Sequence, residues 1–173
     1  MPELLVIDAL AVGCESEAAE LVFEYMAATQ AETGRPVPDS PDGLPPVLAR
    51  ECRDLAAAYP PPGVLLTARI GRYRAGCAGL AARLPPGTGE IKRLYVRPAY
   101  RGRGIAAALM GRLHQHAAGH GFTRLVLDVL PERTGVIEFY RRLGYRITGQ
   151  GETGSPVQMI FLDRAVTPPG PRR

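Results

Sequence analysis

Residues 89–107 read Gly89-Glu90-Ile91-Lys92-Arg93-Leu94-Tyr95-Val96-Arg97-Pro98-Ala99-Tyr100-Arg101-Gly102-Arg103-Gly104-Ile105-Ala106-Ala107. Glu90 to Val96 has the composition of a strand, and strict alternation puts Glu90 on the face of Leu94 and Val96. From Gly104 to Ala118 the period changes to that of a helix, with Ile105, Ala108, Leu109 and Leu113 as its apolar stripe. The segment between them is a glycine-rich loop leading from strand to helix. Such a loop offers unpaired N–H groups at the positive end of a helix, which is a site for phosphate. Gly102 and Gly104 permit close backbone approach, and Arg101 and Arg103 add positive charge, so the expected ligand group is a pyrophosphate.

Other readings of this loop fit less well. The Lys-Ser/Thr pair of a nucleotide P-loop is missing. Gly102-x-Gly104-x-x-Ala107 matches a relaxed dinucleotide fingerprint, with Asp128 further on, but that motif belongs at the end of the first strand of a parallel sheet. Here three hairpin-like strands precede the loop, and little chain follows Asp128. A plain basic surface loop ahead of an ordinary helix is the remaining reading.

Outward from this stretch, Leu4 to Leu10 reads as a first strand. A helical pattern follows in which Ala18, Leu21, Val22 and Tyr25 recur on one face. Gly34 to Pro46 reads as a loop and Val47 to Tyr59 as one helix, stopped by Pro60-Pro61-Pro62-Gly63. Val64 to Ile70, Ala75 to Leu84 and Glu90 to Val96 form an antiparallel meander, joined by Gly71-Arg72 and Pro85-Pro86-Gly87. Thr123 to Leu130 reads as a buried strand and Glu132 to Leu143 as a short helix ended by Gly144. Tyr145 to Gly149 and Val157 to Leu162 close the order as two strands around a glycine-rich turn. The expectation is one domain over residues 1–166 and a flexible Pro-rich tail over 167–173.

The 173 residues are 46% hydrophobic and 22% charged, the balance of a folded globular chain. Three cysteines at irregular spacing suggest neither a disulfide framework nor a zinc site, and a reducing cytoplasm is the expected compartment. No apolar run approaches the roughly 20 residues of a membrane span, and the start of the chain is acidic rather than basic. The formal charge is +4, with basic residues dense in Lys92 to Arg103 and Arg133 to Arg146, whereas Glu15 to Glu32 is acidic. This reads as a local cationic site, with an acidic region elsewhere that meets cationic substrates.

Leu94-Tyr95-Val96 followed by Arg101-Gly102-Arg103-Gly104-Ile105-Ala106 resembles the signature of the GNAT superfamily of acyl-CoA-dependent N-acetyltransferases. Tyr140-Arg141-Arg142-Leu143-Gly144-Tyr145 is similar to that family's second motif. The resemblance implies an α/β fold with a mixed, mostly antiparallel seven-stranded sheet, split into a V and flanked by about four helices. It implies acetyl-CoA as cosubstrate and an amine as acceptor, in a monomer or homodimer. Leu94, Tyr95 and Val96 would touch the pantetheine arm through their backbone, and Gly102, Arg103, Gly104, Ile105, Ala106 and Ala107, with Arg101, the pyrophosphate. Tyr140 matches the family's tyrosine beside the thioester sulfur. One departure is that Arg133 and Val136 stand where many members have Asn and Ala, so Arg133 either reaches a phosphate or is a solvated helix start.

An ammonium must lose a proton before its nitrogen can attack a thioester, so a base is expected. Both Glu90 and Asp128 occupy placements the family uses for it; Glu90 is favoured, and a water leading to either carboxylate is a further route. Tyr140 is the expected acid toward the leaving thiolate. Two other classes stay open, a sensor that binds acyl-CoA without turnover and a basic protein directed to RNA through Arg72-Tyr73-Arg74. His114, His116 and His120 lack a further ligand and the glutamate of a zinc-protease motif, so no metal is expected.

Overall fold

The computed structural model describes residues 3–153 and 156–167. The expected tail beyond Thr167, and the centre of the expected glycine-rich turn, residues 154–155, lie outside the described residues. The strands are β1 (Leu4–Asp8), β2 (Val64–Ile70), β3 (Tyr73–Ala81), β4 (Thr88–Val96), β5 (Arg124–Val129), β6 (Arg146–Glu152) and β7 (Gln158–Ala165). The helices are α1 (Glu15–Glu32), α2 (Pro46–Arg53), α3 (Leu55–Ala58), α4 (Ile105–Gly119) and α5 (Thr134–Arg142). The segment read as one helix over Val47 to Tyr59 is thus two, and the described residues hold five α-helices. Asp54 leaves helical conformation at φ −142° and its carboxylate accepts from the Ala57 N–H at 2.9 Å, so a side chain competing for backbone ends α2 and starts α3.

The seven strands form one sheet in the order β1-β2-β3-β4-β5-β7-β6, and every neighbouring pair but one is antiparallel. The exception is the parallel pair β4 and β5, which is hydrogen-bonded only from Thr88 opposite Arg124 to Glu90 opposite Val126. Beyond Glu90 the two strands diverge. This is the V-shaped split, and a single short parallel pairing excludes the doubly wound sheet of a dinucleotide fold.

Apolar side chains cover both faces of the sheet. On one face α4 buries Ile105, Leu109, Met110, Leu113 and Ala117 against Leu66, Leu80, Ile91 and Leu125. Each large side chain fully buried there contributes roughly 1.5–3 kcal/mol. On the other face α1 buries Leu21, Val22 and Met26 against Leu65 and Cys77, with α2 and α3 completing the layer. Tyr59 lies over Gly79, where a Cβ would fall 2.3 Å from its ring, so only glycine fits.

Salt bridges fasten α1 to the sheet. Arg69 pairs with Glu17, Arg74 with Glu20, and Arg97 reaches both Glu20 and Glu24 at 2.6 Å. Glu17, Glu20 and Glu24 are therefore matched by arginines on or just past the strands beneath them, which corrects the sequence expectation for these three acids as a separate surface for cationic substrates. Arg74 is committed in the same way, whereas Arg72 stacks on Tyr73 at 5.1 Å, donates to its hydroxyl at 3.2 Å and has no carboxylate partner among the described residues.

Candidate active site

The split opens onto the α1–α3 face as a cleft of about 470 Å³, whose lining includes Tyr25, Glu51, Glu90, Asp128, Tyr140 and Thr153. Glu90, Asp128 and Tyr140, drawn from β4, β5 and α5, thus meet in one cavity. Asp128 is two residues past the last position at which β5 pairs with β4, on the face opposite the buried Leu127 and Val129.

Glu90 reaches the cleft by a different route from the one its spacing suggests. Gly79 lies opposite Lys92 but Cys77 lies opposite Tyr95, so β4 carries one extra residue there. At this bulge Arg93 takes φ +58°, in the left-handed region, and the alternation of side chains reverses. Glu90 consequently shares its face with Lys92 and Tyr95, toward α1–α3. Leu94 and Val96 instead join Ile91 on the α4 side. The period-two argument is corrected, because a bulge exchanges the faces of every residue beyond it.

Arg93 holds the bulge. Its Nε donates to Glu51 Oε1 at 2.9 Å and its Nη2 to Oε2 at 2.7 Å, while the Tyr59 hydroxyl donates to the same carboxylate at 2.8 Å. Burial pushes the Glu51 carboxyl up, and the hydrogen bonds and charge of Arg93, with Tyr59 and Lys92, more than reverse this and hold it below its ordinary value. Sequence reading missed Glu51, Tyr59 and the role of Arg93. Glu51 and Arg93 are 42 residues apart in the chain, and nothing in either local pattern links them.

Arg133 is also accounted for. It donates to Glu32 at 2.6 Å, Thr29 at 2.8 Å and the Tyr25 hydroxyl at 3.3 Å, and its guanidinium lies 5.4 Å from the Tyr25 ring centre. Arg93 faces the same ring at 5.6 Å. Arg133 is therefore a strap from the start of α5 to α1, and not a solvated helix start.

The remaining polar groups of the cleft are loosely held. Glu90 Oε2 is 3.7 Å from Lys92 Nζ, and Asp128 accepts a long 3.4 Å bond from Thr153. Tyr140 is buried, in edge contact with Phe139 and Tyr145, and its hydroxyl makes no hydrogen bond to a described residue. Burial pushes its phenol far up, reinforced by Tyr25 and Tyr145, so it stays protonated at neutral pH.

At the mouth of the split, Gly102 has φ +73° and Gly104, the N-cap of α4, φ +76°; a Cβ at either would meet nothing within 4 Å. The backbone path requires glycine there, and the space before it is open. The first bond onto the Gly104 carbonyl comes from Ala108, so the N–H groups of Ile105, Ala106 and Ala107 have no acceptor within the helix. Beside the loop, Leu94, Tyr95 and Val96 lie on the edge of β4 that β5 has left. Arg101 turns back to donate to the Val96 carbonyl at 3.0 Å, and Arg103 lies 5.6 Å from the Tyr100 ring centre. Free backbone N–H groups therefore face the open space at this helix start, the kind of donor set that suits an anion.

The histidines do not form one cluster. His114 sits between Tyr145 and Arg164, at 3.0 and 2.7 Å, whereas His116 and His120 stack at 3.9 Å, with His116 bonded to the Pro62 carbonyl. Cys52 and Cys77 are buried, and burial pushes both thiols up, Cys52 to about 11, which makes them packing residues and not nucleophiles.

A mixed sheet parted at its parallel pair, with a glycine loop at the opening, is the fold expected above. The chain belongs to the acetyltransferase (GNAT) family, whose model matches residues 26–145, and acetyl-CoA is that family's acyl donor. An uncharacterised N-acetyltransferase of Schizosaccharomyces pombe is 34% identical over 90 residues, covering 51% of this chain and 55% of that protein. An IAA acetyltransferase of Azospirillum brasilense is 29% identical, over 70% of this chain and 80% of the relative. The chain thus spans about half the length of the first relative and four-fifths of the second. A crystal structure of a GNAT-family acetyltransferase from Staphylococcus aureus superposes with a TM-score of 0.72, covering 95% of this chain and all of the other at 16% identity, a likeness of fold.

Proposed function

We propose that this protein transfers an acetyl group from acetyl-CoA to a primary amine of a small molecule or peptide by direct attack. The observation that carries this reading is that Glu90, Asp128 and Tyr140 line the cavity opened by the parting of β4 and β5. The unpaired edge at Leu94, Tyr95 and Val96 takes the pantetheine arm through backbone groups. Gly102, Gly104 and the free N–H groups of Ile105 to Ala107 take the pyrophosphate, with Arg101 and Arg103 supplying charge around it.

When bound, the cosubstrate supplies an activated acetyl thioester. The ammonium first gives up one proton to become the attacking amine; the carbon–nitrogen bond then forms as the carbon–sulfur bond breaks, and the proton the nitrogen next loses balances the one needed at sulfur. Glu90 takes the first, directly or through a water, while Asp128 orients the ammonium. Tyr140 stands ready with the one for sulfur. Its buried hydroxyl keeps its proton and has no competing hydrogen bond within the described residues, so it donates a hydrogen bond to sulfur as negative charge builds there.

Titration of the protein with acetyl-CoA, followed by thiol release across a panel of amines, tests the reading. Saturable binding and amine-dependent release are expected. Absence of saturable binding at low salt removes it, and binding without release by any amine turns it into a sensor.

A further inference from the structure

The acids and bases of the cleft are not left over in equal measure. Glu51 is consumed by Arg93, Glu90 lies against Lys92, and Asp54 caps the Ala57 N–H. Three charged side chains remain. Asp128 stands on the β5 lip with only a 3.4 Å hydroxyl contact, while Arg50 of α2 and Arg83, just past β3, stand on the far wall. Neither arginine has a carboxylate partner among the described residues. Arg83 is tethered by an Nη2 bond of 3.0 Å to the Ala57 carbonyl, which aims the guanidinium without neutralising it. A cleft built for a simple alkylamine or a diamine has no use for two unmatched cations.

Continuing the β4–β5 register past Glu90 and Val126 would bring Lys92 opposite Asp128 on the same face. The split keeps these opposite charges from pairing, which leaves Lys92 with Glu90 and Asp128 without a cation among the described residues. We infer that the acceptor is a zwitterionic amine, one whose skeleton also carries a carboxylate, amino acids being the simplest class. Its ammonium lies toward Asp128 and its carboxylate toward Arg83 and Arg50. A guanidinium offers a carboxylate paired, charge-assisted donors, which makes Arg83 and Arg50 specificity-determining residues. This rests on the acceptor site proposed above.

The test measures binding to the full chain, with coenzyme A present, of α-amino acids, ω-amino carboxylates, alkylamines and diamines matched in length. Amino carboxylates are expected to bind about tenfold or more tightly than the matching alkylamines. Arg83→Gln and Arg50→Gln together should remove most of that margin, and Arg72→Gln, on the exposed hairpin, should keep it. Equal or tighter binding of the diamines, a margin that survives the double replacement, or no saturable binding of any amino carboxylate overturns the inference. Failure of the acetyltransferase reading has a different signature, a preference for amino carboxylates without thiol release from acetyl-CoA.

Discussion

Arg93 and Glu51 face each other through two hydrogen bonds, of 2.9 and 2.7 Å, joining the bulge of β4 to α2 across the wall of the cleft. Both side chains are largely buried, 14% and 11% exposed, so removing one leaves the other charged and without a counterion. Glu51→Ala is expected to cost about 3 kcal/mol, measured as a shift in the denaturant midpoint at unchanged slope. Glu51 has its folded pKa held below the ordinary carboxylate value, so its contribution is present above the unfolded value of about 4.5 and lost as pH falls through the folded one. The variant should therefore show a shallower loss of stability in acid than the parent.

His114 predicts a pH effect in a different window. Burial and the nearby Arg164 lower it to about 4, and since Arg164 can only donate, Nδ1 accepts and Nε2–H is given to Tyr145. The unfolded chain binds this proton near pH 6.5 and the folded chain only near 4. Stability is thus complete above pH 6.5 and falls between 6.5 and 4. The slope expected from this group is about 1 kcal/mol per pH unit after allowing for its partial exposure. His114→Gln should remove that slope from denaturation curves taken at pH 7, 6 and 5.

Gly104→Ala separates backbone conformation from crowding. A Cβ there meets no neighbour, but φ +76° costs a side-chain-bearing residue about 1–2 kcal/mol. The methyl also enters the open space before the α4 N-terminus. Coenzyme A affinity is expected to fall tenfold or more by calorimetry, with a melting temperature lowered by only a few degrees.

Tyr140→Phe distinguishes an acid from a packing residue. Its hydroxyl holds no bond to a described residue, so the replacement should change stability by less than about 1 kcal/mol. Turnover should drop about tenfold or more while coenzyme A affinity is retained. An equal fall in both would make Tyr140 a wall of the pocket. The alkaline limb of the parent's rate profile should not follow the phenol, whose pKa burial has raised.

Arg133→Gln should loosen α1 from α5 and cost about 1–2 kcal/mol, because its bonds to Glu32, Thr29 and Tyr25 are lost together. Coenzyme A affinity should change less than twofold. A strong loss of affinity, with a weaker salt dependence, would return Arg133 to a phosphate.

The glycine loop between β4 and α4 and the order of the strands were legible in the chain, and the parting of the sheet followed from the family resemblance. Glycines at positive φ, a helix start and turn residues act through their immediate neighbours, so their meaning is local and survives without the fold. The tertiary structure alone decided three things: that Glu17, Glu20 and Glu24 of α1 belong to Arg69, Arg74 and Arg97, that Arg133 is a strap, and that Glu90 faces α2 with Lys92 rather than α4 with Leu94. Each depends on partners tens of residues away. In the last, one inserted residue held by Arg93 and Glu51 inverts an alternation that the sequence by itself could only continue.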